Sequence, residues 1–192
     1  YFGGYASTAL DAPGLYAFTI DPMSGALTPV AGGPWTIATP PNTVVTIDPY
    51  GEFAYAPQGD LIYAFTINAA SGALTPIAGS PFMVAATTSA MAIDPSASYA
   101  YVSTTKGLYA YSIDSSTGVL SALGTQVALT NATTLRIDPS GQFLYVAAAA
   151  GGTGQQGTYA YSIDVGTGAL TAVAGSPFAV GSLSPALMAI AN

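Results

Sequence analysis

Leu15-Tyr16-Ala17-Phe18-Thr19-Ile20-Asp21 decides the reading of this chain, because the same stretch returns three more times. It recurs as Ile62 to Asn68, as Leu108 to Asp114 and as Thr158 to Asp164. Each copy runs into a turn and opens a further strand: Ser24-Gly25-Ala26-Leu27, Ser71-Gly72-Ala73-Leu74, Thr117-Gly118-Val119-Leu120 and Thr167-Gly168-Ala169-Leu170. The copies lie 46 to 50 residues apart. Aromatic and small residues alternate within them, which is the period of a β-strand, and no segment shows a helical period.

A second landmark interleaves with the first. Ile47-Asp48-Pro49, Ile93-Asp94-Pro95 and Ile137-Asp138-Pro139 each lead into an aromatic strand: Phe53-Ala54-Tyr55, Tyr99-Ala100-Tyr101 and Phe143-Leu144-Tyr145. In Asp138-Pro139-Ser140-Gly141 the Asp side chain caps the turn amides, Pro presets φ and Gly relaxes the exit. One repeat therefore reads as strand A (Thr134–Asp138), strand B (Phe143–Ala147), strand C (Tyr159–Asp164) and strand D (Leu170–Ala174). Four strands at this period predict an all-β chain, a β-propeller of four four-stranded blades. The repeats fall at about 1–42, 43–87, 88–131 and 132–183, within a single domain spanning 1–192.

The ends of the sequence are complementary. Tyr1-Phe2 aligns with the end of a B strand and Met188-Ala189-Ile190-Ala191-Asn192 with an A strand, so residues 184–192 are expected to close the first blade. Tyr1, Phe2, Met188 and Ile190 are the residues of that strand exchange. Three arrangements stay open: closure within one chain, pairing between copies in a ring or filament, or a longer propeller of which this is a part.

Composition narrows the function. Charged residues are 6% and hydrophobic residues 51% of the chain, against roughly 25% charged for an ordinary domain. Lys106 and Arg136 are the only cations against nine acidic residues, a net charge of −7. Two cations cannot neutralise a run of phosphates, so nucleic acid is a poor partner. No run approaches the roughly 18 apolar residues of a membrane helix. The chain has no Cys and no His, which removes thiolate nucleophiles, disulfides and histidine bases. It begins at Tyr1 with no leader pattern, and Asn131-Ala132-Thr133 fits a glycosylation sequon of low specificity.

The string Tyr159-Ala160-Tyr161-Ser162-Ile163-Asp164, then Thr167-Gly168-Ala169-Leu170-Thr171 and Gly175-Ser176-Pro177-Phe178, resembles the repeat of the lactonase-like β-propellers. That group includes 6-phosphogluconolactonase and secreted proteins with a Tyr-Val-Thr-Asn repeat, to whose strand Leu144-Tyr145-Val146-Ala147 is similar. The resemblance implies a seven-bladed ring and, for the enzymes, a sugar-lactone pocket with His, Arg and acidic residues near the axis. Here Arg136 is the one arginine, and no catalytic residue is carried over.

The remaining chemistry is weighed residue by residue. Asp48, Asp94 and Asp138 form one repeat-equivalent set and Asp21, Asp114 and Asp164 another, so turn capping explains them better than a cation ring. Asp11, Glu52 and Asp60 lie outside the repeat positions but pair with nothing at a readable spacing. Tyr16, Tyr63, Tyr109 and Tyr159, like Trp35, Phe82 and Phe178, are equivalent packing positions before they are sugar-stacking ones. Gly151-Gly152-Thr153-Gly154 has no Lys and no following helix, and reads as a surface loop rather than a phosphate cradle. No catalytic, metal or cofactor residue is assigned.

Two B–C loops break the symmetry: Gly3–Gly14 and Ala148–Gly157 are about twice as long as the others. Loops that depart from a regular scaffold are where function gathers. Tyr5, Asp11, Gln155 and Gln156 are therefore the expected partner or assembly surface. The sequence alone favours a non-enzymatic, extracellular or cell-surface scaffold that self-associates head to tail. Its alternatives are a 6-phosphogluconolactonase-like hydrolase of sugar lactones and a glycan- or small-ligand-binding propeller.

Overall fold

In the computed structural model of the chain, residues 2–4, 14–37, 44–149 and 156–179 are described. They are all strand and turn, seventeen strands in four successive antiparallel units. The first unit holds β1 (Phe2–Gly4), β2 (Gly14–Tyr16), β3 (Phe18–Ile20) and β4 (Leu27–Pro29). The second holds β5 (Thr46–Ile47), β6 (Phe53–Gln58), β7 (Leu61–Ile67), β8 (Leu74–Pro76) and β9 (Phe82–Met83). The third holds β10 (Thr88–Ile93), β11 (Tyr99–Thr104), β12 (Gly107–Ile113) and β13 (Leu120–Val127). The fourth holds β14 (Ala132–Ile137), β15 (Phe143–Ala148), β16 (Gly157–Ile163) and β17 (Leu170–Ala172).

In the third and fourth units the strands pair strictly in chain order. The propeller expectation is met: consecutive blades of short antiparallel meanders, stacked face to face. In the first blade Ala17 interrupts the C strand, leaving the pairs β1–β2 and β3–β4, and the Val30 amide donates to the Ala17 carbonyl at 2.9 Å to bridge the break. The expected closing strand, residues 184–192, lies outside the described residues, as do Tyr1, Met188 and Ile190.

The D strand differs from expectation. In blades 1, 2 and 4 it covers three residues and then turns through Gly-Gly-Pro or Gly-Ser-Pro, so that an aromatic residue returns to the start of strand C. Trp35 bridges Leu15, Phe82 pairs with Ile62, and Phe178 bridges Thr158. Gly33-Pro34, Ser80-Pro81 and Ser176-Pro177 are cis at these turns. Proline has no amide to give a ladder, so the strand cannot run straight through. The serine repairs the gap: Ala64 N–H donates to Ser80 Oγ at 2.9 Å and Ala160 N–H to Ser176 Oγ at 3.1 Å. Blade 3, which lacks that motif, keeps an eight-residue D strand, β13, with a register shift opposite Tyr109–Tyr111.

The core lies between blades. Leu15 and Ile37 of blade 1 pack with Phe65 and Leu74 of blade 2. Phe53, Tyr55, Ile62 and Ile77 of blade 2 pack with Val102, Tyr111, Ile113 and Leu120 of blade 3. Tyr101, Leu108 and Leu129 of blade 3 pack with Leu144, Val146, Tyr161 and Ile163 of blade 4. The B strand of blade 3 thus sends Val102 back toward blade 2 and Tyr101 forward toward blade 4, as the alternation of a strand requires.

The seams between blades 2 and 3 and between blades 3 and 4 are keyed in the same way. The Tyr55 hydroxyl donates to the Gly118 carbonyl of the next blade at 2.8 Å, and the Tyr101 hydroxyl to the Gly168 carbonyl at 3.0 Å. A Cβ on Gly118 would lie 2.5 Å from Phe53 Cδ1, and one on Gly168 the same distance from Tyr99 Cδ1. Glycine is needed there twice over, for this approach and for a φ near +70° (71° and 72°). Burial pushes the Tyr55 and Tyr101 hydroxyls far above the usual phenol range, so they act as fixed donors, and pushes the Tyr161 hydroxyl up to about 12.

Candidate functional site

The acidic residues resolve first, and they resolve into turns. Asp48 Oδ1 accepts the amides of Glu52 and Phe53, both at 2.7 Å, while Oδ2 accepts that of Tyr50 at 2.9 Å. Asp94 accepts Ser98 and Tyr99 at 2.9 and 2.6 Å, and Ser96 through both amide and hydroxyl. Asp138 accepts the Phe143 amide at 2.7 Å and both donors of Ser140. Burial works against the charged form of Asp138, but the hydrogen bonds from Ser140, Phe143 and Gln142 outweigh it and hold the carboxyl below its usual range.

The second acidic set is exposed and equally local. Asp21 is held low by the Ser24 amide and hydroxyl, and Asp114 and Asp164 by the Thr117 and Thr167 hydroxyls and neighbouring amides. Asn68 fills the same place in blade 2, accepting Ala70 and Ser71 amides at 3.0 and 2.9 Å. Among the described residues no group of three acidic side chains could hold a metal ion. Every one of these carboxylates is occupied by its own turn, as expected of a repeated structural residue.

What breaks the repeat lies on the inner strands. β5, β10 and β14 sit side by side and line one open groove of about 510 Å³, bounded by Val44–Ile47, Met91–Ile93 and Leu135–Ile137 and by the turn prolines Pro49, Pro95 and Pro139. In register, Thr46 lies opposite Tyr55, Ala92 opposite Tyr101 and Arg136 opposite Tyr145, so these three are one repeat position. Side chains directly opposite in an antiparallel pair share a face. Position 46 therefore points forward, and Thr46 Oγ1 indeed donates to the Met91 carbonyl of the next blade at 3.4 Å.

Arg136 replaces that Thr and Ala with a guanidinium. It is exposed on the groove, and Nη1 donates to the Leu135 carbonyl at 2.8 Å. One bond from a group with five donors leaves most of the fork facing the groove. Sequence reasoning registered Arg136 only as the lone arginine. The signal that would have found it is the comparison of Thr46, Ala92 and Arg136 two residues before each Asp-Pro turn.

The long-loop surface is bracketed as expected, by Gly4 pairing with Gly14 and by Ala148 pairing with Gly157. Tyr5, Asp11 and Gln155 lie outside the described residues; Gln156 is described, and its Nε2 is buried without a hydrogen-bond partner. Gln156 stands at the B–C end of blade 4, whereas Asp138 and Pro139 of the groove stand at the A–B end. The two surfaces are therefore at opposite ends of the strands.

A stacked set of four-stranded antiparallel blades defines a β-propeller. Residues 97–190 match the family described as Lactonase, 7-bladed beta-propeller, and over that stretch the chain is similar to the lactonase-like propellers. A candidate 6-phosphogluconolactonase from Bacteroides uniformis is 20% identical with a TM-score of 0.67, over 83% of this chain and 47% of its own. One from Bacteroides fragilis is 24% identical with a TM-score of 0.67, over 82% and 46%. The periplasmic gluconolactonase of Pseudomonas aeruginosa is 18% identical with a TM-score of 0.54, over 77% and 41%. The chain thus spans about half the length of these structures. No curated protein matches the sequence. The described residues contain no helix long and apolar enough to cross a membrane.

Proposed function

We propose that this chain forms an arc of a lactonase-like propeller that hydrolyses a sugar lactone, with the axial groove as the substrate side. The observation that carries the reading is Arg136, the one place on the described inner strands where the repeat gives way to a strong ligand-binding group. A structural residue would recur in each blade, as the aspartates do. The family match and the neighbours favour this reading over the non-enzymatic scaffold expected from the sequence, for which no observation speaks.

Lactone hydrolysis adds water to the ring carbonyl, gathers negative charge on the carbonyl oxygen, and then breaks the ring C–O bond to give a carboxylate and a hydroxyl. A guanidinium offers planar paired donors to that oxygen, to the product carboxylate or to a substrate phosphate. Asp138 borders the groove, but its carboxylate is engaged by its turn and held at low pKa, so it is poorly suited to take a proton from water. Arg136 accordingly binds and stabilises charge, and the water-activating group is expected from a facing blade.

The test is hydrolysis of glucono-δ-lactone and its 6-phosphate by the purified protein. Arg136→Gln should lower kcat/KM by roughly 10- to 100-fold, since a hydrogen bond to a charged group contributes about 1.5–3 kcal/mol. Arg136→Lys, which keeps the charge and loses the fork, should fall between. Thermal stability should change little, because among the described residues the side chain bonds only its neighbour's carbonyl. Turnover no faster than spontaneous hydrolysis, or turnover indifferent to Arg136→Gln, refutes the reading.

A further inference from the structure

Tyr55 and Tyr101 are buried tyrosines whose hydroxyls are engaged by a carbonyl of the next blade. Tyr111 is as well buried, at 5% exposed, yet its hydroxyl has no hydrogen-bond partner among the described residues. Nor is it sealed away. Among those residues Gln156 Nε2 is the side-chain polar atom buried without a partner, so the Tyr111 hydroxyl opens onto space. That space is a cavity of about 240 Å³ on the outer strands, at the seam of blades 2 and 3. Met83 and Ala85, in and just after β9, form one wall; Tyr109 and Tyr111 of β12 with Ala122 and Gly124 of β13 form the other.

The way β13 is built makes the cavity. Tyr109 and Tyr111 stand two residues apart on β12 and share its rear face. Tyr111 belongs to the core that blade 3 forms with Phe53, Ile77 and Val84 of blade 2, and Tyr109 packs against that core. Blade 3 lacks the cis-proline reversal, and β13 runs on through its register shift. Its bulky residues Leu123 and Val127 pack forward, into the cluster shared with blade 4. The rear is left with Ala122, directly opposite Tyr111, and with Gly124 at a φ of 68°. A Cβ built on Gly124 meets nothing within 4 Å. At the next seam Tyr159 and Tyr161 hold the equivalent positions, and there Leu123 and Val127 lie in the same cluster as the tyrosines.

The lining selects the ligand. It carries two phenol rings, a thioether and small apolar side chains, and no charged or amide side chain is among the described residues that form it. An anion would meet no cation there, in a chain whose net charge is −7. A sugar would bring several hydroxyls to a wall that offers two, and polar groups buried without partners are costly. Burial, and after it the neighbouring Tyr109, push the Tyr111 hydroxyl above the usual phenol range, so it stays a neutral donor. The volume is below the roughly 300 Å³ at which pockets for drug-sized ligands begin, and suits a single ring.

We propose that this cavity is a second binding site, for a small neutral aromatic molecule with one acceptor oxygen. Its ring lies against Tyr109, Met83 and the alanines, in ring–ring and sulfur–ring contact, and its oxygen accepts the Tyr111 hydroxyl. The site stands on the outer strands, whereas the groove of Arg136 stands on the inner ones, so the inference is independent of lactone chemistry.

The test is titration of the ¹⁵N-labelled protein with acetophenone, followed by amide chemical shifts. Saturable shifts are expected at Tyr109–Tyr111 and Ala122–Gly124, and none at Arg136. Benzoate, of the same shape but charged, and methyl β-glucoside, richer in hydroxyls, should each bind about tenfold more weakly or worse. Tyr111→Phe keeps the ring and removes the oxygen, and should raise the dissociation constant by roughly 2- to 12-fold. Ala122→Ile puts a strand-forming side chain at an exposed position, fills the cavity and should abolish the shifts. Tyr50→Phe, at an exposed tyrosine in the A–B turn of blade 2, should leave binding unchanged. Absence of saturable shifts, benzoate or the glucoside binding as tightly as acetophenone, or a dissociation constant indifferent to Tyr111→Phe overturns the proposal.

Discussion

Glycine in the C–D turn does two jobs, and they can be separated by comparing two alanine substitutions. Gly51 and Gly118 sit at nearly the same φ, 72° and 71°. A Cβ on Gly51 meets nothing within 4 Å, whereas one on Gly118 lies 2.5 Å from Phe53 Cδ1 and 2.6 Å from Ile77 Cδ1. Both variants carry the left-handed strain of a β-carbon, about 1–2 kcal/mol. Only Gly118→Ala also forces blades 2 and 3 apart. Phe53 and Ile77 are 6% and 5% exposed and have nowhere to swing, so an overpacking cost of about 1–3 kcal/mol follows. Any widening also stretches the 2.8 Å bond from the Tyr55 hydroxyl to the Gly118 carbonyl. The excess of Gly118→Ala over Gly51→Ala should therefore be about 1–3 kcal/mol, read as a further drop in Tm of about 2–4 °C per kcal/mol for a chain of this size. Thermal unfolding followed by circular dichroism measures it, with the chain dilute enough to be one species. Equal drops for the two variants would show that glycine serves backbone conformation alone and that the blades do not meet through this turn.

The A–B turns make a second prediction. Asp94→Ala leaves the amides of Ser96, Ser98 and Tyr99 without their side-chain acceptor at a site only 6% exposed, and should cost about 2–4 kcal/mol in urea unfolding. Asp114→Ala, in the fully exposed C–D turn, should cost clearly less, and a reversed order would refute the assignment. A third concerns acid. Asp21, Asp114, Asp138 and Asp164 have folded pKa values below their unfolded value of about 3.9, so their contribution is complete above that pH and is lost as pH falls through the lower, folded values. Stability should hold from pH 7 to about 5 and fall as the pH drops below about 4. Replacing Asp21, Asp114 and Asp164 with Asn, the residue blade 2 already uses as Asn68, should flatten that fall with little change at pH 7. An unaltered acid profile would remove these turns from the account.

Much of the fold could be read from local chemistry. Asp-Pro followed by Gly, and Asp followed by Ser-Gly or Thr-Gly, specify turns by mechanisms confined to six residues, and their alternation sets the blade period. The D strand was misjudged because its fate depends on a partner: Ser176 is needed where Ala160 loses a ladder bond, and that vacancy is created by strand C, sixteen residues away. The site was harder to find for a related reason. Arg136 is informative only once the inner strand is known to face the groove and its register to match Thr46 and Ala92. The expected surface at Gln156 rested on loop length, which marks where a chain departs from its scaffold but not what chemistry waits there.

The interrupted D strands bear on how so sparsely charged a protein keeps its sheet rims from pairing with other strands. Sheet rims offer unpaired amides and carbonyls to any other strand, and proteins commonly guard them with lysine. This chain has one lysine. Its rims are guarded by shape instead: in blades 1, 2 and 4 three residues of strand are followed by a proline-containing reversal, and in blade 3 the longer β13 is broken by a register shift. Straightening one rim, by replacing Ser80-Pro81 with residues that extend β8, would give the molecule a template for amyloid-like stacking that its charge is too sparse to oppose.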